Sequence, residues 1–217
     1  MTLTAFSDVS CWVFDLDNTL YHPSARLFDQ IEVKMTDFVM QTTGKDRKTA
    51  DYLRSKYWAD HGTTLAGLMK EHQVDPLPYL TWVHDIDLSH LEPDPELAAR
   101  ISALPGRKII YTNGSAPYAR NVASARGLDD VFDGVFGVED ADFHPKPMFE
   151  AFDILFEKAD VPPQSAAMFE DEPRNLKVPH ELGLRTVHVH DIAQEAPHIH
   201  FSTDNLSGFL GNVIKHV

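Results

Sequence analysis

In CWVFDLDNTL, residues 11–20, an apolar run ends in Asp15 and Asp17 with a single leucine between them and Thr19 just beyond. Three other short segments carry compatible groups: YTN at 111–113 supplies Thr112 and Asn113, PKP at 145–147 supplies Lys146, and FED at 169–171 supplies Glu170 and Asp171. Four carboxylates gathered in one place repel one another unless a cation intervenes, and hard oxygen donors without a nearby cysteine favour Mg²⁺ over zinc. Mg²⁺ keeps several waters and usually shares its coordination with a substrate phosphate, whose remaining oxygens Lys146 and the Thr112 hydroxyl can hold. One acid can then attack phosphorus while a second moves protons. The chemistry implied is phosphoryl transfer.

These groups act together only if the fold delivers them to one edge. After Pro93 the texture alternates: DPELAARISAL, PYARNVASARG, MFEAFDILFEKA and the stretch after Pro173 read as helices. RKIIYTN, DGVFGVED, AAMFED and LRTVHVH between them read as strands. Such alternation predicts a parallel sheet with helices on both faces, and ligands of open α/β sheets bind beyond the carboxyl ends of the strands. The segment after the first strand reads differently. Leu27, Ile31, Met35 and Phe38 form a helical stripe, helices are predicted at about 46–60, 63–72 and 76–85, and no strand candidate lies among them. The predicted fold class is an α/β, Rossmann-like core of residues 1–21 and 92–217 with an inserted all-α cap over 22–91. A short edge strand near His200 and a helix from Asp204 complete it.

Composition narrows the partners. A formal net charge of −14 argues against nucleic acid polymers and anionic membranes. The charge is uneven, since residues 22–70 carry eight basic and six acidic side chains, which suits either a solvated helical face or a less repulsive lid over an anion. No leader pattern or spanning apolar run is visible, so a cytoplasmic protein is expected, as monomer or homodimer, acting on a small phosphorylated metabolite. The lone Cys11 reads as a buried structural thiol.

The four ordered pieces, DLDNT at 15–19, YTN at 111–113, PKP at 145–147 and FEDEPRN at 169–175, resemble the four motifs of the haloacid dehalogenase (HAD) superfamily. The position of the helical insertion resembles the C1 cap of subfamily I. The resemblance implies Asp15 as nucleophile and Asp17 as acid/base, with the Asp17 backbone carbonyl on Mg²⁺. It further implies Thr112, Asn113 and Lys146 around the phosphoryl group, Asp171 and Glu170 in the metal shell, and Asn175 tying down its loop. Dehalogenases of this superfamily lack the second aspartate, so Asp17 points to phosphomonoester hydrolysis.

The stretches HGTTLAGLM at 61–69 and VHDIDLSHLEPDPEL at 83–97 resemble those of pyrimidine 5′-nucleotidases, which act on UMP and CMP. On that likeness His61, Thr63, Thr64, His84 and Asp85 are candidate contacts to a ribose or base. Helix capping by Thr63 or Thr64 is the competing reading. A phosphatase for sugar phosphates, or a non-catalytic phosphate-ester-binding protein, are the alternatives. Trp58, Trp82 and Tyr57 are expected in the core of the cap. The alternation of Val187, His188, Val189 and His190 reads as a half-buried strand with outward polar faces, not as a zinc site with His198 and His200.

Overall fold

The computed structural model describes residues 2–217. Strand β1, Cys11–Phe14, is buried along its whole length, as expected for a strand covered on both faces. Helices α1 (Leu27–Thr43), α2 (Arg47–His61), α3 (Thr64–His72) and α4 (Pro76–Val83) follow it. The chain then alternates through α5 (Pro95–Ser102), β2 (Arg107–Tyr111), α6 (Ala116–Ala125), β3 (Gly134–Phe136), α7 (Phe149–Lys158), β4 (Ala166–Glu170), α8 (Lys177–Leu182), β5 (Arg185–Val189), β6 (Phe201–Thr203) and α9 (Leu206–Val213). The six strands form one sheet in the order β3-β2-β1-β4-β5-β6, and every pairing is parallel.

Alternation along the strands divides the core. Trp12, Phe14, Ile110 and Phe169 pack on one side with α5, α6 and α9, and the Phe14 and Phe169 rings stack at 4.7 Å. Cys11, Val13, Ile109 and Met168 pack on the other with α7. Cys11 is free and buried, and burial pushes its thiol pKa up. The first cluster continues without a break into Leu27, Ile31, Tyr57, Leu65, Tyr79 and Leu80 of α1–α4. Those four helices therefore rest on the sheet assembly through apolar contact.

Register explains the placement of the chemical groups. Phe14 lies opposite Ile110 on one side and Phe169 on the other, so β1, β2 and β4 end nearly level and hand Asp15, Thr112 and Glu170 to one edge. Beyond Phe14 the strand does not continue. The Leu20 N–H donates to the Leu16 carbonyl at 2.9 Å, and Asn18 takes the left-handed conformation at φ 59°. This turn removes the two-residue, same-face relation that a continuous strand would impose on Asp15 and Asp17.

The outward histidine faces expected for β5 are a point of correction. This strand lies between β4 and β6, and His188 is fully buried. Its Nε2 pairs with the Asp171 carbonyl at 2.9 Å and its ring stacks on His190. Burial lowers its pKa, so a neutral ring can donate to that carbonyl and support the acidic loop from below.

Candidate active site

Lys146 is the hub of the strand-end edge. It lies just before α7, is almost wholly buried, and its Nζ donates to Asp15 Oδ1 at 2.7 Å, Glu170 Oε2 at 2.7 Å and the Tyr111 carbonyl at 3.0 Å. All three ammonium donors are thus engaged, which locks three strand ends together. Burial alone would push this ammonium down, but Asp15 and Glu170 outweigh it and hold its pKa above the ordinary value. The acids respond in the opposite sense. Burial and the Glu170 charge push Asp15 up to about 8 against the pull of Lys146, and burial with the Glu170 and Asp15 charges raises Asp171 well above the usual carboxylate range. One ammonium does not neutralise three clustered carboxylates.

That imbalance is the test of whether a divalent cation fits. Asp15, Glu170 and Asp171 each offer an oxygen within 4.8 Å of the others. The set is hard and oxygen-only, as Mg²⁺ requires. Asn175 Oδ1, on the same cavity wall, is a buried acceptor without a protein partner. The residues present fit the ion. Glu170 is already engaged at both oxygens, by Lys146 and by the Glu172 N–H at 3.2 Å, whereas Asp171 accepts from the protein at Oδ2, from Asn18 at 3.3 Å.

Asp17 is held differently. The hydroxyls of Tyr21 and Tyr118 both donate to its Oδ1, at 2.6 and 2.7 Å, and Oδ2 has no bonded protein partner among the described residues. Burial raises its pKa while the two hydroxyl bonds oppose the rise. Asp15 by contrast is fixed at both oxygens, by Lys146 and by Thr19 Oγ1 at 3.3 Å. The two carboxyls therefore differ in partner chemistry, one set against an ammonium and the other against phenols.

Thr112 is buried and its Oγ1 accepts from the Gly114 N–H at 2.9 Å, so its hydroxyl proton is available to a ligand. Asn113 does not stand ready in the same way. Its amide exchanges two bonds with the Lys146 backbone, at 3.0 and 2.8 Å, and so fixes the loop carrying the lysine.

These groups line one face of a cavity of about 530 Å³ whose other face is made by α1–α4. Of the five cap candidates, Thr63, Thr64 and His84 line it. Thr63 also caps α3 by accepting from the Ala66 N–H, and the Thr64 hydroxyl donates to the Arg54 carbonyl, so the capping reading holds for Thr63. His84 stacks on Tyr118 at 4.3 Å and pairs with Ser115 Oγ; burial lowers its pKa to about 4. His61 and Asp85 are not among the lining residues. His61 lies against Glu71 and the exposed Asp85 pairs with Lys34.

The two tryptophans also depart from expectation, both being 45% exposed. Trp58 lines the cavity, and the Arg174 guanidinium stacks on it at 3.6 Å while donating to the Trp58 and Gly62 carbonyls. Lys34 covers Trp82, and Tyr57 alone is buried as expected. Gly62, at φ +91°, brings the α2–α3 junction against the lysine loop, where an added Cβ would lie 3.1 Å from Pro145 Cγ. Tyr21, Tyr118, Arg54 and Arg174 were missed from sequence. Tyrosines inside helical or apolar runs read as core, and cap–core distances cannot be inferred from spacing.

A family model for haloacid dehalogenase-like hydrolases matches residues 9–183. The chain belongs to this family. Among curated proteins, Phosphate metabolism protein 8 of Saccharomyces cerevisiae is 30% identical over 132 residues, covering 56% of this chain and 41% of that protein; the match thus spans less than half of the yeast protein's length. Solved HAD structures of similar fold include a HAD phosphatase from Thermococcus onnurineus, at TM-score 0.62 and 16% identity over 94% of this chain and 98% of that one. L-2-haloacid dehalogenase from Xanthobacter autotrophicus, with chloropropionic acid covalently bound, gives TM-score 0.59 and 16% identity over the same shares. The HAD fold therefore accommodates both reactions, and the site must decide between them. Among the described residues, no helix is long and apolar enough to cross a membrane.

Proposed function

We propose that this HAD-family hydrolase is a Mg²⁺-dependent phosphomonoesterase that works through an aspartyl phosphate and acts on pyrimidine nucleoside 5′-monophosphates. The observation that carries the phosphatase reading is Asp17. A second carboxyl, lining the cavity with Asp15 and bonded through one oxygen only, is what departure of an alcohol requires and departure of a halide does not.

An Asp15 carboxylate oxygen attacks phosphorus and the bond to the leaving oxygen breaks, with Asp17 giving that oxygen its proton. Asp17 then takes a proton from the water that attacks the phosphorus of the aspartyl phosphate, the acyl-phosphate P–O bond breaks, and inorganic phosphate departs as the Asp15 carboxylate is regenerated. Mg²⁺, held by the Asp15 and Asp171 carboxylates and the Asp17 carbonyl with Glu170 beside them, would neutralise charge on the phosphoryl oxygens. The Thr112 hydroxyl would hold the same oxygens, with the Lys146 ammonium exchanging one of its bonds to reach them, and Lys146 orients Asp15 and favours its ionised form against the burial that opposes it. The α1–α4 block, proposed as a cap over residues 22–91, shields the site from water.

Pyrimidine nucleotides are supported by the two cap stretches and by Thr63, Thr64 and His84, which line the cavity from that side. The test is phosphate release from UMP, CMP, purine nucleotides, sugar phosphates and an aryl phosphate, with Mg²⁺ or EDTA. UMP and CMP should be hydrolysed with the highest kcat/KM, and only with the metal. Equal rates across the panel would remove the pyrimidine assignment; turnover undiminished by EDTA would remove the metal.

A further inference from the structure

The half of the cavity formed by α1–α4 is walled largely by apolar side chains, among them Phe28, Ile31, Met35, Leu65, Leu80 and Val83. Among the described residues that line this half, Glu32 and Arg54 are the charged ones. They face each other from α1 and α2, with Arg54 Nη1 2.9 Å from Glu32 Oε1. The pair is not saturated. Arg54 Nε is buried without a hydrogen-bond partner, since Asp51 Oδ1 stands at 4.0 Å and instead accepts from the Thr36 hydroxyl at 2.6 Å. Among the described residues only one Glu32 oxygen is bonded, and this side chain is 44% exposed at the cavity. A free acceptor thus stands beside the buried Arg54 Nε, an unmatched donor whose burial is costly.

We propose that Glu32 and Arg54 together read the polar edge of a flat, uncharged leaving group, and so determine specificity. An unpaired arginine here would attract a second phosphate or a carboxylate; paired with Glu32 it does not, because any second anion also meets the glutamate. A neutral ring with a carbonyl acceptor beside an N–H donor satisfies both partners at once, with the apolar walls taking its faces. Uracil offers this combination at its 2-carbonyl and N3–H, and cytosine at N3 and its amino group. The assignment rests on the pyrimidine reading above and gives it a residue-level basis.

The experiment compares kcat/KM for UMP, N3-methyluridine 5′-monophosphate and phenyl phosphate in the wild type, Glu32→Ala and Arg54→Lys. N3-methylation deletes the donor that Glu32 would accept. In the wild type it should lower kcat/KM on the order of a hundredfold, the cost of leaving a polar partner unsatisfied. In Glu32→Ala, which no longer presents the acceptor, the same methyl penalty should shrink by about tenfold or more. Arg54→Lys, which keeps the charge and loses the planar fork, should lower the preference for UMP over phenyl phosphate by about tenfold or more. Circular dichroism melting confirms that each variant is folded, and the methyl penalty compares two substrates on one protein, so it is insensitive to loss of active material. A methyl penalty equal in the wild type and Glu32→Ala, with UMP still preferred, overturns the assignment alone. UMP no better than phenyl phosphate in the wild type overturns both the pyrimidine reading and this assignment.

Discussion

The two walls of the cavity are built on opposite principles. On the sheet side, an ammonium bonds a backbone carbonyl and two carboxylates, with Asp171 beside them, the five groups being delivered by four segments. On the helical side, apolar side chains surround one partly satisfied ion pair. The first wall concentrates negative charge whose repulsion a metal cation can offset, and its geometry is fixed before substrate arrives. The second carries little charge and discriminates by shape and by one polar edge. On the proposed function, catalytic power and selectivity belong to different elements, and damage to one wall should read out differently from damage to the other.

The largest separation is expected from Asp17→Asn. It should lower kcat/KM, which reports formation of the aspartyl phosphate, on the order of 10²–10⁴-fold for UMP and phenyl phosphate alike, since proton transfer to the leaving oxygen is lost. The loss should be smaller for a substrate whose leaving group needs no proton, such as p-nitrophenyl phosphate, and steady-state kinetics on the three substrates check it. Equal losses on all three would mean that Asp17 serves mainly the metal.

Lys146→Met should cost about 10²–10³ in kcat/KM. It should also destabilise the protein by about 3–5 kcal/mol in EDTA, because it leaves buried carboxylates without their counter-charge, as urea unfolding would show. Magnesium should recover part of that stability, tying the sheet-side wall to cation binding.

Tyr118→Phe should have a smaller effect, about tenfold in kcat, because one of two hydroxyl donors to Asp17 remains in Tyr21. Its ring stacking on His84 is retained, so selectivity among substrates should not move; a changed UMP-to-phenyl phosphate ratio would show that the two walls are coupled through this residue.

The smallest expected effect is at His84, whose pKa is lowered to about 4 by burial. Below the ordinary histidine pKa of about 6.5 the unfolded chain takes up a proton that the folded one refuses. Stability is therefore lost as pH falls from 6.5 toward 4, by about 1 kcal/mol per pH unit at most of that range. His84→Phe keeps an aromatic ring against Tyr118 and removes the proton. Urea unfolding at pH 6.5 and 5.5 should show the wild type losing about 1 kcal/mol more than the variant, and equal losses would mean that His84 titrates normally.

Much of the sheet-side wall was legible in the sequence. Asp15, Thr112, Lys146 and Glu170 follow or flank apolar strand runs, and parallel topology places such positions at one edge whatever the details of packing. The helical elements were legible for the same reason, Leu27 and Ile31 being buried on α1 as their spacing predicts. What periodicity could not supply was contact between elements distant in sequence. Tyr118 is 101 residues from Asp17 and looks like any core aromatic of α6. Trp58 had helical spacing suited to the core, yet Arg174, 116 residues away, lies over its face at the cavity. His188 alternated as an outward residue would, but the neighbouring strands enclose it. His61 and Asp85 illustrate the converse, being near the right helix ends but turned to Glu71 and Lys34.

In the proposed mechanism Asp15 is the nucleophile of the sheet-side wall and receives the phosphoryl group. Rapid acid quench of the protein turning over ³²P-labelled UMP with Mg²⁺, followed by peptide mapping, tests it most directly. Label on Asp15 in the wild type, its accumulation when Asp17→Asn slows breakdown more than formation, and its absence in Asp15→Asn are the predicted results. Steady phosphate release with the label on another residue or none, or undiminished turnover by Asp15→Asn, would contradict the account.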